Sequence, residues 1–348
     1  MVADLQKSGD LSTHSIKLGD WLDTYMEDIA PAQLSPKALY DRQSVVKLFV
    51  KPLLGKKNLD RISADDVRNL HKTILSTPKS PALRELPAGD LPTGTVMLSS
   101  SYARNAHNAL SAALKAAKRE GKVSTNVCDL VDRPATGKAV DNALSKPEFI
   151  KLVRFLSTHP DRALWCTFLF TGARRGEVAG LEVQRAQSVL DLSWQLKQIT
   201  NIESAHSGYE YRHVVGKRYL VRPKTSTSWR VLPMPAILSD ILAEHIGDRD
   251  AGFVFQNRRG EPFDPSTIGR RWKDLLADAG LPTHVTLHGA RHTFIDMLYN
   301  ANQAVREDTV MQIVGHSSRA MTRSYRQNVE SEHAVSAFRS IESILEAP

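Results

Sequence analysis

Cysteine and long apolar runs are both scarce in this sequence. Only Cys128 and Cys166 occur among 348 residues, too few and too far apart for a disulfide framework or a cysteine metal site. Cys166 lies inside an apolar run, which predicts a small buried hydrophobic residue. No segment approaches about 18 uninterrupted apolar residues, and the first residues lack the apolar core of a signal peptide. We therefore expect a protein that spans no membrane and stays in the cytoplasm.

The sequence also lacks enough acidic residues to balance its basic ones. Lys and Arg number 46 against 38 Asp and Glu, which gives a formal charge of +8 and a pI near 9.4. An excess of this sign favours a polyanionic partner, either nucleic acid or an acidic membrane surface, and charge alone does not choose between them. The length exceeds that of one hydrophobic core, so two domains joined by a linker are expected.

Helical patterns dominate the first part of the chain. Residues 1–14 are polar and aperiodic, which predicts a disordered tail. Helices are predicted from Ile16, from the Ser35-Pro36 cap, from a capping box that opens at Ser63, and over residues 99–120. Clustered Pro and Gly mark 77–97 as a loop, and an aperiodic stretch marks 131–143 as an interdomain linker. The sequence thus predicts a helical domain over 15–130.

A second domain opens at the Ser145 capping box and mixes helices with short strands. Alternating runs at 189–192, 219–222 and 230–234 predict a small antiparallel sheet, and helices follow it. The predicted fold class is therefore mainly α with a small antiparallel β-sheet. Basic residues on the helices of both domains suit a phosphate backbone, although a solvated surface explains such residues equally well. The candidate DNA contacts are Arg104, Lys115, Lys118, Arg119, Arg175, Arg270, Arg271 and Lys273.

Chemically active side chains concentrate between Leu287 and Tyr325. This stretch holds His288, Arg291, His292, His316 and Tyr325. An arginine presents a planar fork of donors to non-bridging phosphate oxygens, a histidine shuttles protons near neutral pH, and a tyrosine can attack phosphorus. The set predicts covalent phosphoryl transfer through tyrosine. His284, His288 and His292 also recur at the spacing of metal ligands, but no carboxylate or cysteine accompanies them, so we expect no metal.

Three further residues fit the same chemistry. Arg174 follows a Thr-Gly break at the start of a helix, where backbone amides already favour an anion, and Glu177 is placed to hold it by an i, i+3 pair. The alternative is an ordinary surface pair. Lys224 lies in a turn before a strand, where it either donates a proton to a leaving hydroxyl or is a hairpin surface lysine.

Together these motifs resemble the tyrosine recombinase (phage integrase) family, and phage-type members from actinobacteria in particular. The resemblance extends from about residue 15 to the end. Val314 and Gly289-Ala290 stand where the family usually has Leu and Asp-Leu, a departure that affects packing rather than chemistry. The motifs are Thr171-Gly-x-Arg174-x-x-Glu177, Pro223-Lys224-Thr-x-x-Ser-x-Arg230-x-Leu-Pro, His288-x-x-Arg291-His292, Val314-Gly315-His316 and Tyr325.

The resemblance implies a two-domain clamp on double-stranded DNA. A helical core-binding domain (15–130) would grip one face and a mixed catalytic domain (144–325) the other, with Tyr325 forming a 3′-phosphotyrosyl bond. Arg174 and Arg291 would neutralise the phosphate, and Lys224 would protonate the 5′-oxygen. It also implies that His288 manages the tyrosine proton, that His316 hydrogen-bonds the phosphate, that His292 supports the site, and that no cofactor is needed. An arm-binding domain is not expected, because about 14 residues precede the first helix.

The final segment, 326–348, is predicted to form a helix with one apolar face, composed of Ala334, Phe338, Ile341 and Leu345. This face packs either on its own domain or on a neighbouring protomer. The resemblance favours the neighbour, and hence a homotetramer on DNA, with an excision-directionality factor or a host DNA-bending protein as possible partners at the bacterial nucleoid.

The main functional prediction is an integrase of a phage or other mobile element. A Xer-like recombinase that resolves chromosome or plasmid dimers is the alternative with the same chemistry, and a type IB-like topoisomerase would relax DNA without exchanging strands. A non-catalytic DNA-binding regulator is the alternative of another class, although the complete set of six catalytic residues argues against it.

Overall fold

Two units divide the chain in its computed structural model, which describes residues 16–135, 142–223, 229–301, 307–315 and 332–346. The described residues before 139 form the first unit together with Thr200–Ser207, and the others form the second. The boundary falls inside the stretch 131–143, whereas the grouping of Thr200–Ser207 with the first unit was not predicted. Among the described helices, none has both the length and the apolar character that a bilayer crossing requires.

The first unit is helical, and two π-helical turns, Tyr25–Ile29 and Val46–Val50, join α1 to α2 and α3 to α4. Serine caps set three of the helix starts, at Ser35, Ser63 and Ser99. Ser35 accepts a hydrogen bond from the Ala38 amide, and Ser63 forms the predicted capping box with Asp66. The α-helices are α1 (Leu18–Thr24), α2 (Ala30–Gln33), α3 (Pro36–Val45), α4 (Lys51–Leu54), α5 (Ala64–Leu75) and α6 (Ser100–Arg119).

The long helix α6 is the centre of the first unit. Its buried face consists largely of alanines, which let neighbouring helices approach closely, and the Trp21 indole donates to the Ala113 carbonyl at 2.8 Å. His71 on α5 and His107 on α6 are also buried, and their ring nitrogens lie 3.1 Å apart. Burial lowers the pKa of both imidazoles, so both are neutral near pH 7 and share one hydrogen bond.

The second unit surrounds two small antiparallel sheets with helices. Strand β1 pairs with β5, while β4 lies between β2 and β3. The three predicted strands therefore belong to two sheets rather than one, and β2 and β3 were not predicted. Its strands are β1 (Val189–Asp191), β2 (Gln195–Gln198), β3 (Tyr211–Val215), β4 (Arg218–Val221) and β5 (Val231–Pro233). Its helices are α7 (Lys146–Leu156), α8 (Arg162–Thr171), α9 (Arg175–Ala179), α10 (Ala236–Ile246), α11 (Pro265–Asp278), α12 (Leu287–Ala301), α13 (Glu307–Val314) and α14 (Glu332–Glu346).

The core of the second unit is built on α8, which is buried from Ala163 to Thr171. Cys166 is buried there as predicted, and burial raises the pKa of its thiol to about 12. The Trp165 and Trp272 rings lie 5.6 Å apart, and the Trp272 indole donates to the Val285 carbonyl at 3.0 Å. These contacts join α8, α11 and the segment that leads into α12.

The last helix, α14, has the predicted apolar face, which packs within the second unit. Its apolar face contacts α12 of the same chain, where Phe338 is buried and its ring lies 6.4 Å from that of Phe294. Ala334 and Ile341 are buried on the same face, whereas the side chain of Leu345 lies outside the described residues. In the single chain this contact removes the apolar surface from water, and docking of the face on a neighbouring protomer stays a prediction.

Candidate active site

Arg174 is placed by the turn between α8 and α9. Helix α8 ends at Gly172, whose φ of 56° is left-handed, and Arg174 then caps the start of α9. The buried carboxylate of Glu177 accepts from the Arg174 amide at 2.7 Å and from its guanidinium Nη1 at 2.8 Å. The predicted i, i+3 pair is thus present, with Glu177 in the interior rather than on the surface.

Gly172 also brings α8 against α12. A Cβ atom at this position would lie 2.6 Å from Cδ1 of Phe294, so a side chain does not fit. The Gly172 carbonyl accepts a hydrogen bond at 2.8 Å from Nη1 of Arg291, which projects from α12 and is 2% exposed. Arg174 and Arg291 are 117 residues apart in the sequence, and this close approach brings them into one site.

Three arginines converge on the carboxyl end of α13. Each guanidinium donates to one of three successive backbone carbonyls, which are the groups that a helix end leaves unpaired and which carry the negative pole of its dipole. The donor and acceptor pairs are Arg230 Nη1 with Ile313, Arg291 Nη2 with Val314, and Arg174 Nη2 with Gly315 at 2.7 Å. The site is therefore assembled at the end of α13, directly before His316 in the sequence.

The cluster holds more positive than negative charge. Glu177 is the carboxylate shared by Arg174 and Arg230, and Arg291 completes a set of three cations against one anion. Burial, followed by repulsion from Arg230 and Arg174, lowers the pKa of Arg291 to about 9. An excess of positive charge held away from water favours the binding of an anion such as a phosphate.

His288 lies in the first turn of α12 beside this cluster. Partial burial, followed by repulsion from His292, Arg291 and Arg174, lowers the pKa of His288, so the imidazole is neutral near pH 7 and able to accept a proton. The His288 and His292 rings make an edge contact at 4.9 Å. Within the described ranges, no three His, Cys, Asp or Glu side chains are arranged to hold a metal ion.

Glycine at position 289, where the sequence departs from the family pattern, has a steric explanation. The Asn142 side chain accepts from the Thr286 amide at 2.7 Å and so caps the approach to α12. A Cβ atom on Gly289 would lie 2.2 Å from the Asn142 carbonyl oxygen. A glycine at position 289 therefore leaves room for the backbone of Asn142.

The structure brings together four predicted site residues: Arg174, Glu177, His288 and Arg291. Lys224, His316 and Tyr325 lie outside the described residues, so their placement stays a prediction. Arg230 belongs to one of the sequence motifs, but the sequence assigned it no role. A charged residue next to an apolar strand usually faces solvent, so the sequence held no signal of its burial.

The predicted DNA-contacting residues divide into two groups. Arg104 donates to the Pro134 carbonyl at 3.2 Å, and Arg271 forms an ion pair with Asp161 and lies over the Phe263 ring at 5.0 Å. These two arginines have partners within the protein. The others are exposed, and their contact with DNA stays a prediction: Lys115, Lys118, Arg119, Arg175, Arg270 and Lys273.

Comparisons with known proteins connect this geometry to one family. The model of the "Phage integrase family" matches residues 142–332. A "Tyrosine recombinase XerC-like" protein of Caldanaerobacter subterraneus subsp. tengcongensis is 27% identical over 225 residues, covering 56% of this chain and 55% of that protein. An "Integrase" of Streptomyces ambofaciens is 27% identical over 277 residues, covering 71% of this chain and 66% of that protein. The chain thus spans between half and two thirds of the length of these relatives.

Two solved structures share the fold. The Tn1549 transposon integrase in complex with a circular intermediate DNA aligns with a TM-score of 0.66 at 18% identity, over 87% of this chain and 92% of that one. A lambda integrase tetramer bound to a Holliday junction aligns with a TM-score of 0.57 at 19% identity, over 90% of this chain and 81% of that one. At such identities the likeness shows the fold alone.

Proposed function

The chain belongs to the phage integrase family, and on that premise we propose that it is a site-specific DNA recombinase that integrates or excises a mobile element. One observation carries the proposal: three guanidinium groups and one carboxylate meet beside His288 at the end of α13. Such a cluster provides preorganised donors and net positive charge, which is what a phosphodiester needs as negative charge develops on its oxygens in the transition state.

The proposed reaction exchanges one phosphoester for another. The Tyr325 hydroxyl attacks the scissile phosphorus, the bond to the 5′-oxygen breaks, and a 3′-phosphotyrosyl bond forms. Arg174 and Arg291 neutralise the non-bridging oxygens, and His288 accepts the tyrosine proton. Lys224 protonates the departing 5′-oxygen, and His316 donates to the phosphate. Because the new ester conserves the bond energy, rejoining requires no nucleotide, and the charge of the arginines does the work that a metal would otherwise do.

The proposed partners are double-stranded recombination sites and further copies of the chain. We assign the helical domain over 15–130 and the catalytic domain over 144–325 to DNA binding, and we propose a tetramer during strand exchange. The fold shared with the lambda integrase, whose solved structure is a tetramer bound to a Holliday junction, supports this assembly. A directionality factor or a host DNA-bending protein would regulate the reaction at the nucleoid.

The decisive test is the covalent intermediate. The full chain is incubated with nicked duplexes that tile the DNA flanking its gene, and the products are run on denaturing gels. We expect a protein–DNA adduct with the wild-type chain and with Tyr299→Phe, because Tyr299 is an exposed phenol on α12 without an assigned role. Tyr325→Phe, which loses only the attacking oxygen, should bind DNA but form no adduct. An adduct that survives in Tyr325→Phe would assign the nucleophile elsewhere.

A second candidate within the same chemistry is a Xer-like dimer-resolving recombinase, which the XerC-like relative favours. The two are distinguished by the DNA that is cleaved. Cleavage at the boundary of a phage or other element supports the integrase, whereas cleavage at a chromosomal or plasmid site without such a boundary supports the resolving enzyme. DNA binding without any adduct would support a non-catalytic regulator.

A further inference from the structure

Arg230 is a cation that the proposed reaction does not use. It lies immediately before β5, its backbone carbonyl accepts from the Leu192 amide at 2.9 Å, and it is 3% exposed. Its Nη2 donates to Glu177 and its Nη1 to the Ile313 carbonyl. Arg230 is as enclosed as Arg291, but its guanidinium, unlike that of Arg291, bonds the carboxylate that orients Arg174. Its route to the reaction is therefore through the groups that it holds.

Stability alone does not explain such a buried pair. Removing two charges from water is expensive, and well-packed apolar residues often replace a buried ion pair without loss. Here the cost is increased because Arg291 and Arg174 place two further positive charges nearby, and because the Nε donor of Arg230 has no hydrogen-bond partner within the described residues. A cation kept in such surroundings is better explained by the geometry that it imposes.

Two contacts define that geometry. Through Glu177, Arg230 fixes the carboxylate that orients both the backbone and the guanidinium of Arg174. Through the Ile313 carbonyl, Arg230 fixes the end of α13, and the turn at Gly315 lies close to the Arg230 side chain. A Cβ atom added to Gly315 would lie 3.4 Å from Cδ of Arg230. The planar guanidinium of Arg230 therefore positions two sides of the anion site, Glu177 on one side and the end of α13 on the other. This requires two donors at a fixed angle.

We infer that Arg230 is a positioning residue for the proposed recombination reaction: its guanidinium holds Glu177 and the end of α13 so that Arg174 meets the scissile phosphate in a productive geometry. The inference rests on the proposed function and adds a residue to it. Supporting partners of this kind typically contribute about 10- to 100-fold to the rate, less than a donor that touches the transition state.

The test compares two substrates that differ in charge. Single-turnover cleavage is measured on a nicked duplex carrying the mapped site, with either a phosphodiester or a methylphosphonate at the scissile position. The methylphosphonate lacks one anionic oxygen, so its cleavage depends less on the arginines that neutralise that charge. We expect Arg230→Met to slow phosphodiester cleavage by about 10- to 100-fold but to cleave the methylphosphonate within about threefold of the wild-type rate, because Arg174 is then needed less. Affinity for the duplex should change by less than about threefold, because exposed basic residues provide most of it.

Two further variants identify the route of the effect. Arg174→Ala should also be rescued by the methylphosphonate, and Arg174→Ala with Arg230→Met should be no slower than Arg174→Ala alone, because residues that act through one another are not additive. The matched control is Arg218→Met. Arg218 likewise connects a carbonyl, that of Pro262, with a glutamate, Glu261, but it lies away from the cluster, and this variant should match the wild type on both substrates.

Each outcome decides the inference. Equal slowing of Arg230→Met on both substrates indicates a general folding defect and overturns it, as does wild-type cleavage of the phosphodiester. If Arg230→Met does not fold, Arg230→Lys is measured instead: it keeps the charge but cannot donate to both acceptors, so the same difference between substrates is expected at about three- to tenfold. Failure of the wild-type chain to form an adduct on either substrate overturns the proposed function itself, which the other outcomes leave intact.

Discussion

Replacing Glu177 by Gln should destabilise the second unit far more than the loss of a single charge at the surface. The carboxylate is 2% exposed and accepts from the Arg174 amide at 2.7 Å, from the Arg174 guanidinium at 2.8 Å and from the Arg230 guanidinium. Its neutral isostere leaves the guanidinium groups without an anion. Removing one partner of a buried pair typically costs about 3–5 kcal/mol. For a unit of this size, that loss lowers the midpoint of thermal unfolding by about 6–20 °C.

The dependence on pH gives the same prediction a second, independent readout. Burial by itself would raise the pKa of Glu177, but Arg230 and Arg174 outweigh it and hold the pKa below its usual range. A carboxyl group with a depressed folded pKa contributes stability that is present above its unfolded value of about 4.3 and is lost as the pH falls through the folded value. Glu177→Gln should therefore lose stability at pH 7 and show a weaker acid dependence below about pH 4.3.

The assay is thermal unfolding followed by circular dichroism from pH 3 to pH 8. The matched control is Glu182→Gln, because Glu182 also pairs with two arginines, Arg185 and Arg212, but its side chain is 19% exposed. Pairs that water can reach contribute about 0–1 kcal/mol, so this control should unfold within a few degrees of the wild type. If Glu177→Gln unfolds at the temperature of the control, or keeps the full acid dependence, the buried network is not stabilised as the contacts imply.

Two further predictions concern packing and buried histidine. Phe338→Ala should destabilise the second unit by about 3–5 kcal/mol in urea unfolding, because the ring is buried against Phe294 of the same chain. The control Phe155→Ala, at an exposed ring, should cost much less. Equal effects would mean that α14 is not held in cis. Burial lowers the pKa of His71 and His107, so the stability that this neutral pair provides is complete above about pH 6.5 and declines as the pH falls below it. His71→Gln should therefore flatten the pH dependence of unfolding below about pH 6.5, and an unchanged slope would contradict the pairing.

Local signals account for most of what the sequence predicted of the fold. Helix starts at Ser35, Ser63 and Ser145 are determined by residues within one turn, and all three were predicted correctly. Strand pairing is a non-local property. The run Gln195–Gln198 is mostly polar and was not predicted as a strand, because its pairing with β4 depends on residues 20 to 26 positions away.

The candidate site was predictable to the extent that it consists of motif residues. Arg174, Glu177, His288 and Arg291 meet as the motifs imply, because each motif lies at a helix start. The role of Arg230 was not predicted because its burial depends on contacts with Glu177 and with the end of α13, which no local pattern reveals. The apolar face of α14 was predicted, but periodicity identifies a face and says nothing about what lies on it, so docking on a neighbouring protomer stays a prediction.

The acceptors at the end of α13 are main-chain carbonyls. Evolution therefore constrains the side chains of the donors more strongly than those of the acceptor residues. Residues 313–315 present the same oxygen atoms whatever their side chains, provided that the helix ends at the same place. The guanidinium donors have no such freedom, since lysine lacks their planar fork. We therefore expect related chains to vary in the apolar residues of α13, limited only by packing, while its length and its three arginine partners change together or not at all.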